Sequence, residues 1–578
     1  MKKTLLLLCA TAIVGVALYA QRPPSVNVPA SDAQEQDARI RACLDGSGAR
    51  PGGMTYYITP HFEGLNFTDP KLRAHFEQLA EMLEPGGPSG KVVLGYTLGF
   101  SPYWLYWKNG DGVWQLSTEI LDKTLKAAAE LKRPFVFYLM GNHFTPPSPL
   151  VKELVQNDDL LMRYQNGEVA RESYLIGALA PFRLDPDENF PVTRYLHGAS
   201  HKIAERLADF QSAYPDLLLG VLVNGETHYL FSDFFSGTGN FYSPRTTDFS
   251  VAEKKDFYRS LKNEGKADLS ESAVDEALTR ADFGTMPHGI LPVSGWLSRV
   301  PEGGILMLYV DGKSVATMRY GFSRTDVQEA KGGEFFNPGS GFAAWFDYSA
   351  LPDGVHGVQA VLELGGARYE IGRRRVVVGT GKGEAVFAPI PFLPLPLQGY
   401  LDHPKDNLVV AYQPLLREWV RFRERRVKTY VADLATIFRE KGIEQKKIFS
   451  YQLSPWLIGS WNPVLFGVGE DFFKDAPYLP GMNLYGGNVR AARLFDMIEP
   501  GTVYGVPEFH PQLVGAKEFI GKSLDFHECM GARFVSPYFF KLEEQSVNET
   551  HDRFRIWPQN KVWGSDNFYA VLVEKLKQ

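Results

Sequence analysis

Short apolar runs rich in β-branched and aromatic residues alternate along the chain with amphipathic stretches. In the first half the runs are MTYYITP from Met54, KVVLGYTLGF from Lys91, PFVFYLMG from Pro134 and LLLGVLVNGE from Leu217. Between them lie DPKLRAHFEQLAEML, TEILDKTLKAAAELK and SHKIAERLADFQSAY, whose apolar residues recur at three- and four-residue intervals with charges elsewhere. An apolar strand followed by a helix with one apolar face is the β/α unit, because that face covers the sheet. The pattern lapses after residue 260 and resumes after 410, where PLLREWVRFRERRVKTYVADLATIFREKG leads into IFSYQLSP from Ile448. YLPGMNLYGG from Tyr478, TVYGVPEFHP from Thr502 and ARFVSPYFF from Ala532 follow. Near-continuous apolar strands separated by helices predict a parallel sheet buried on both faces, and eight of them predict an α/β fold closed as a (β/α)8 TIM barrel. An open doubly wound sheet is the alternative; no Gly-rich phosphate loop follows the first strand, where a nucleotide-binding sheet would show one.

The interruption has its own texture. GGILMLYVDGKSVATMRYGF, SGFAAWFDYSALPDG, HGVQAVLELGG and ARYEIGRRRVVVG are short strand candidates divided by Gly, Asp and Pro turns. They predict an antiparallel, Ig-like β-sandwich over 291–385, inserted between a first barrel half (51–290) and a second (410–578). The proline-rich segment APIPFLPLPLQGYLDHPKDN excludes a regular helix and predicts an extended return linker over 386–409. Residues 21–50 lack a sustained apolar pattern and read as a linker or peripheral extension. Ahead of them, Lys2 and Lys3 precede an apolar segment ending near Ala20, which predicts a secretory signal over 1–20. That run is shorter than the roughly 20 residues a bilayer span needs, so the expectation is a secreted or periplasmic protein without stable membrane insertion once the signal is gone.

Composition narrows the field further. The chain of 578 residues has a net charge of −6 and no long basic run, which argues against a nucleic-acid partner. Beyond the signal only Cys43 and Cys529 remain, as one disulfide or as two buried thiols, and neither supplies a Cys-based metal site. No His-x-His or His-Glu-x-x-His spacing occurs near His61 or His143, so no metal and no cofactor are expected.

Parallel barrels carry their reactive groups at the C-terminal strand ends, where the βα loops converge. Glu226 ends the fourth strand and Glu508 the seventh, on opposite sides of such a mouth. Two opposed carboxyls are what glycosidic cleavage needs: one protonated, to give a proton to the leaving oxygen, and one ionised, to attack carbon or activate water.

With Asn224 shortly before Glu226 at one strand end and Glu508 at another, the chain resembles the large clan of retaining barrel glycoside hydrolases that includes many β-galactosidases, β-glucosidases and endoglucanases. TTDFSVAEKKDFYRSL resembles the helix-opening segment that follows the fourth strand in galactosidase-like members. The resemblance covers roughly 54–260 and 410–578. It implies Glu226 as acid/base, Glu508 as nucleophile, Asn224 against a sugar hydroxyl and Tyr485 hydrogen-bonded to Glu508. The clan's Asn and Glu are adjacent, whereas Gly225 separates them here.

A glycan cleft mixes aromatic faces with polar groups. Loops at the expected mouth provide Trp104 and Trp107 after the second strand and Trp456 and Trp461 after the fifth. His61, Glu63, Asn142, His143, His228 and His510 stand at other strand ends as polar candidates. The expected partner is a carbohydrate, and the insertion leaves a subunit contact open. A barrel that binds glycan without cleaving it, or one that hydrolyses another bond, are the competing readings; no Gly-x-Ser-x-Gly elbow supports the latter.

Overall fold

The computed structural model describes residues 30–578 except 51, 53, 62–69, 85–89, 142–147, 171–180, 230–245, 267–268, 282–288, 302, 323, 332–338, 380, 411, 454–466, 470, 487–488, 491–493, 496, 512–514, 539 and 541–554. Strands form where the apolar runs predict them. In order they are Tyr56–Ile58, Val92–Leu94 with Tyr96–Phe100, Phe135–Leu139, Leu218–Leu222, Ile448–Phe449 with Gln452–Leu453, Met482–Tyr485, Tyr504–His510 and Ala532–Pro537. They make two parallel sheets. One sheet orders the fifth, sixth, seventh, eighth, first and second strands; the other orders the fifth, fourth, third and second. The second and fifth strands thus contribute one segment to each sheet. Gly95 joins the two segments of the second strand, and a Cβ there would stand 2.3 Å from the Pro134 carbonyl oxygen, so only glycine lets the chain pass. The arrangement is parallel α/β and TIM-barrel-like.

Alternation along these strands separates two apolar clusters. Phe135, Phe137 and Leu139 pack with the helices Glu119–Leu131, Pro191–Ala213 and Pro414–Glu440 in the larger core. Val136 and Tyr138 face the other way and meet Leu219, Phe449, Tyr451 and Phe534, drawn from the fourth, fifth and eighth strands. This second cluster underlies the candidate site.

Residues 290–410 build a five-stranded and a four-stranded sheet about a cluster of their own that includes Val293, Leu308, Phe342, Val358 and Leu401. Here the structure differs from the expected linker over 386–409. Gly399–His403 pairs antiparallel with Ile290–Leu297, and Leu408–Val410 pairs parallel with Ala367–Val378. The proline cluster ends at Pro396, and each of these strands sits at a sheet edge, where one paired side is enough. Within the stretch read as a linker or peripheral extension, Ala30–Asp45 is a helix, with Ile40 and Cys43 buried. Cys43 is disulfide-bonded to Cys529 on the helix Lys517–Met530, which decides between the two alternatives for this pair. Among the described residues no helix is long and apolar enough to cross a membrane.

Candidate active site

Two residues past the fourth strand stands Asn224, whose side chain continues the sheet. Its Nδ2 donates to the Tyr451 carbonyl at 2.9 Å and its Oδ1 accepts the Tyr451 backbone N–H at 3.0 Å, fixing the fourth strand end to the fifth. Both polar ends of the amide are therefore committed to backbone. Gly225 then packs on Tyr138: a Cβ would sit 3.0 Å from the phenol oxygen. Glu226 follows with φ of 22°, a left-handed value that costs a non-glycine residue about 1 kcal/mol and is held only where the surroundings enforce it. Its Oε1 accepts a 2.5 Å hydrogen bond from Asn483 Nδ2 of the sixth strand.

Glu508 is presented differently. Pro507 cannot donate to a ladder, and the register of the seventh strand against the eighth shifts between Val506 and Phe509. That irregularity brings Glu508 to two phenols: the Tyr451 hydroxyl donates to Oε1 and the Tyr485 hydroxyl to Oε2. Tyr451 is itself stacked on Tyr138, with ring centroids 4.3 Å apart and planes within 10°. His61 presents its ring to Tyr138, Tyr451 and Tyr538 edge-to-face. Burial draws the His61 pKa down to about 3, against a smaller opposing effect of its hydrogen bond to the Pro507 carbonyl, so this imidazole is neutral.

Burial, then Glu508, drives the phenols of Tyr138, Tyr451 and Tyr485 well above their ordinary pKa, and Glu226 adds to the effect in each. All three remain protonated, and both carboxylates act on one set of rings. Glu226 and Glu508, remote from each other in the chain, thus share one buried compartment. Hydrogen bonds to the charged form of an acid favour that form, and Glu508 accepts two from phenols where Glu226 accepts one from an amide. The pair has the chemical equipment for general acid and nucleophilic work.

The other residues singled out from the sequence fall into three groups. Tyr485 bonds Glu508 directly, His61 meets the rings of Tyr138 and Tyr451, Asn224 is bonded to the Tyr451 backbone, and His228 is buried just beyond the Glu226 turn. His510 is buried with its ring edge on Phe568, beneath the C-terminal helix Ser565–Lys577. Trp104 packs edge-on against Phe100, and Trp107 stands 52% exposed on a two-stranded ribbon. Glu63, Asn142, His143, Trp456 and Trp461 lie outside the described residues. Sequence reasoning passed over Tyr138, Tyr451 and Asn483. Period-two alternation was the available signal: Tyr138 follows Val136, and Tyr451 follows Phe449, on the strand face turned away from the helices.

No protein-family model and no curated protein matches the chain. Among solved structures it is similar to the catalytic domain of a β-amylase from Paenibacillus polymyxa, at 8% identity over 92% of this chain and 100% of that one, with a TM-score of 0.47. It is also similar to a β-galactosidase from the psychrophilic Marinomonas ef1, at 9% identity over 90% of this chain and 59% of that one, with a TM-score of 0.42.

Proposed function

We propose that the protein is a glycoside hydrolase that cleaves β-glycosidic bonds of an oligo- or polysaccharide by retaining double displacement. In this reading the eight parallel strands close as one barrel, with 291–385 inserted as a sandwich domain. The observation that carries the proposal is the buried carboxyl pair at the ends of the fourth and seventh strands, Glu508 gripped by Tyr451 and Tyr485 and Glu226 by Asn483. Glu226 hands its proton to the glycosidic oxygen as a Glu508 oxygen attacks the anomeric carbon and the leaving group departs. Glu226 then takes a proton from water, whose oxygen displaces Glu508 and releases the sugar with its configuration retained. The phenols orient the nucleophile throughout and the neutral His61 adds no charge to the compartment. The Cys43–Cys529 bond supports a secreted or periplasmic setting, where disulfides persist.

The test uses activated aryl β-glycosides. Glu508→Gln removes the attacking charge at nearly constant shape and is expected to abolish turnover. Glu226→Ala is expected to lose about 10²–10⁴-fold on poor leaving groups and to regain turnover with azide, giving a β-glycosyl azide. Full activity in Glu508→Gln, or an azide-insensitive Glu226→Ala with wild-type rates, would remove these roles.

A further inference from the structure

A charged hollow lies on the sheets of residues 290–410, lined by none of the residues around Glu226 and Glu508. The strand Ala367–Val378 carries three consecutive arginines, Arg373, Arg374 and Arg375, and with Phe387, Tyr400 and Lys405 they line a hollow of about 570 Å³. That volume is in the range of small-molecule sites, about 300–1,000 Å³. The charges in and beside it are not evenly compensated. Arg375 pairs with Asp406 at 2.6 Å, Arg373 with the buried Glu370 at 2.7 Å, and Asp402 with Arg324. Among the described residues, Arg374 and Lys405 pair with no carboxylate, while Arg324 is shared between Asp402 and Asp326, so the network keeps two unpaired cations and one positive charge in excess.

Its aromatic rings are oriented as well as present. The Arg374 guanidinium lies over Tyr400 at 4.8 Å, and that of Arg373 over Phe387 at 5.1 Å. Stacking leaves a guanidinium's in-plane N–H groups free to donate, and two of those of Arg374 already reach the carbonyls of Arg373 and Leu401, which fixes the plane. Tyr400 remains 52% exposed. A fixed cationic fork beside an open aromatic face and a lysine on a long stem matches a sugar ring that bears a carboxylate: the C–H face packs on Tyr400 while the acid meets Arg374 and Lys405. A nucleic-acid strand fits less well, since two spare cations on a chain of net charge −6 give little phosphate neutralisation.

We infer that this hollow binds a uronic-acid-bearing oligosaccharide segment, independently of the chemistry at Glu226 and Glu508. Isothermal titration of the full chain with tetragalacturonate tests it, alongside the carboxyl-reduced tetrasaccharide and an RNA oligonucleotide of equal charge. Tetragalacturonate is expected to bind, and to weaken about tenfold or more in the Arg374→Ala/Lys405→Ala variant and in Tyr400→Ala, with aryl-glycoside turnover unchanged in both. The proposal is overturned if tetragalacturonate does not bind, if the variants bind it as wild type does, or if the reduced sugar or the RNA binds as tightly.

Discussion

At the scale of single residues, the turn Asn224–Gly225–Glu226 explains why an apolar strand ends in polar residues. Asn224 replaces a missing length of ladder, Gly225 makes room for a phenol, and Glu226 emerges from a backbone bent by both. Tyr138 is the shared neighbour: it limits Gly225 on one side and stacks on Tyr451, the Glu508 donor, on the other. A methyl group at residue 225 therefore disturbs both carboxylates at once. Gly225→Ala is expected to lower kcat by about 10- to 100-fold with a smaller change in KM, because displacements under an ångström are enough to spoil an aligned attack. Circular dichroism should show the fold retained, and an unchanged kcat would mean that Tyr138 gives way without consequence. Tyr485→Phe takes a donor from Glu508 Oε2. Losing a donor to the ionised form makes protonation easier, so the acid limb of kcat/KM should move to higher pH, and further in the Tyr451→Phe/Tyr485→Phe double variant. A limb that stays in place in both would show that the phenols do not act through the Glu508 charge.

At the scale of elements, the helix Val251–Asn263 opens with Ser250, whose hydroxyl accepts from the Glu253 N–H as an N-cap. Capping places Glu253 in the first turn and buries it, where Tyr229 donates to it at 3.1 Å and Arg426 of the helix Pro414–Glu440 stands 3.6 Å away. Burial outweighs Arg426 and lifts the Glu253 pKa to about 7 from an ordinary 4.5. Below about 4.5 both folded and unfolded chains hold this proton; between about 4.5 and 7 only the folded chain does, so unfolding releases it and stability falls as pH rises through that window. Denaturant titrations should show wild type losing ground to Glu253→Gln from pH 4.5 to 7, and parallel profiles would contradict the buried acid. Helices such as Glu119–Leu131 and Pro191–Ala213 were legible in the sequence because their apolar spacing is local. The strand Gly399–His403 and the helix Ala30–Asp45 were not, because each is stabilised by partners remote in the chain: Ile290–Leu297 for the first and the helix Lys517–Met530 for the second. The site divides in the same way. Glu226 and Glu508 stood out as charges ending apolar runs, whereas Tyr138 and Tyr451 are indistinguishable from strand packing until the strands are placed side by side.

At the scale of the whole molecule, the helix Ala30–Asp45 connects regions that the chain order keeps apart. Gln36 donates to the Phe495 carbonyl, Arg39 to Met530, and Arg41 to Gly304 on the two-sheet region. Among its described side chains only Gln36, Ile40 and Cys43 are buried, so apolar packing by itself holds this helix weakly. The Cys43–Cys529 bond supplies what packing does not, joining positions 486 residues apart. A crosslink closing so long a loop restricts the unfolded chain strongly, and typical disulfides contribute about 2–4 kcal/mol. Cys43→Ser/Cys529→Ser is therefore expected to lower the denaturant midpoint and to make it insensitive to dithiothreitol, which should lower the wild-type midpoint to the same value. Because Gly48 packs on the Cys529 sulfur too closely for a Cβ, at 2.6 Å, the segment after the helix is held by the same bond. Limited proteolysis of the reduced protein should then cut first between residues 46 and 53, ahead of the first parallel strand, while the oxidised protein resists there; equal cleavage in both states would show that the helix is held by its polar contacts without the crosslink.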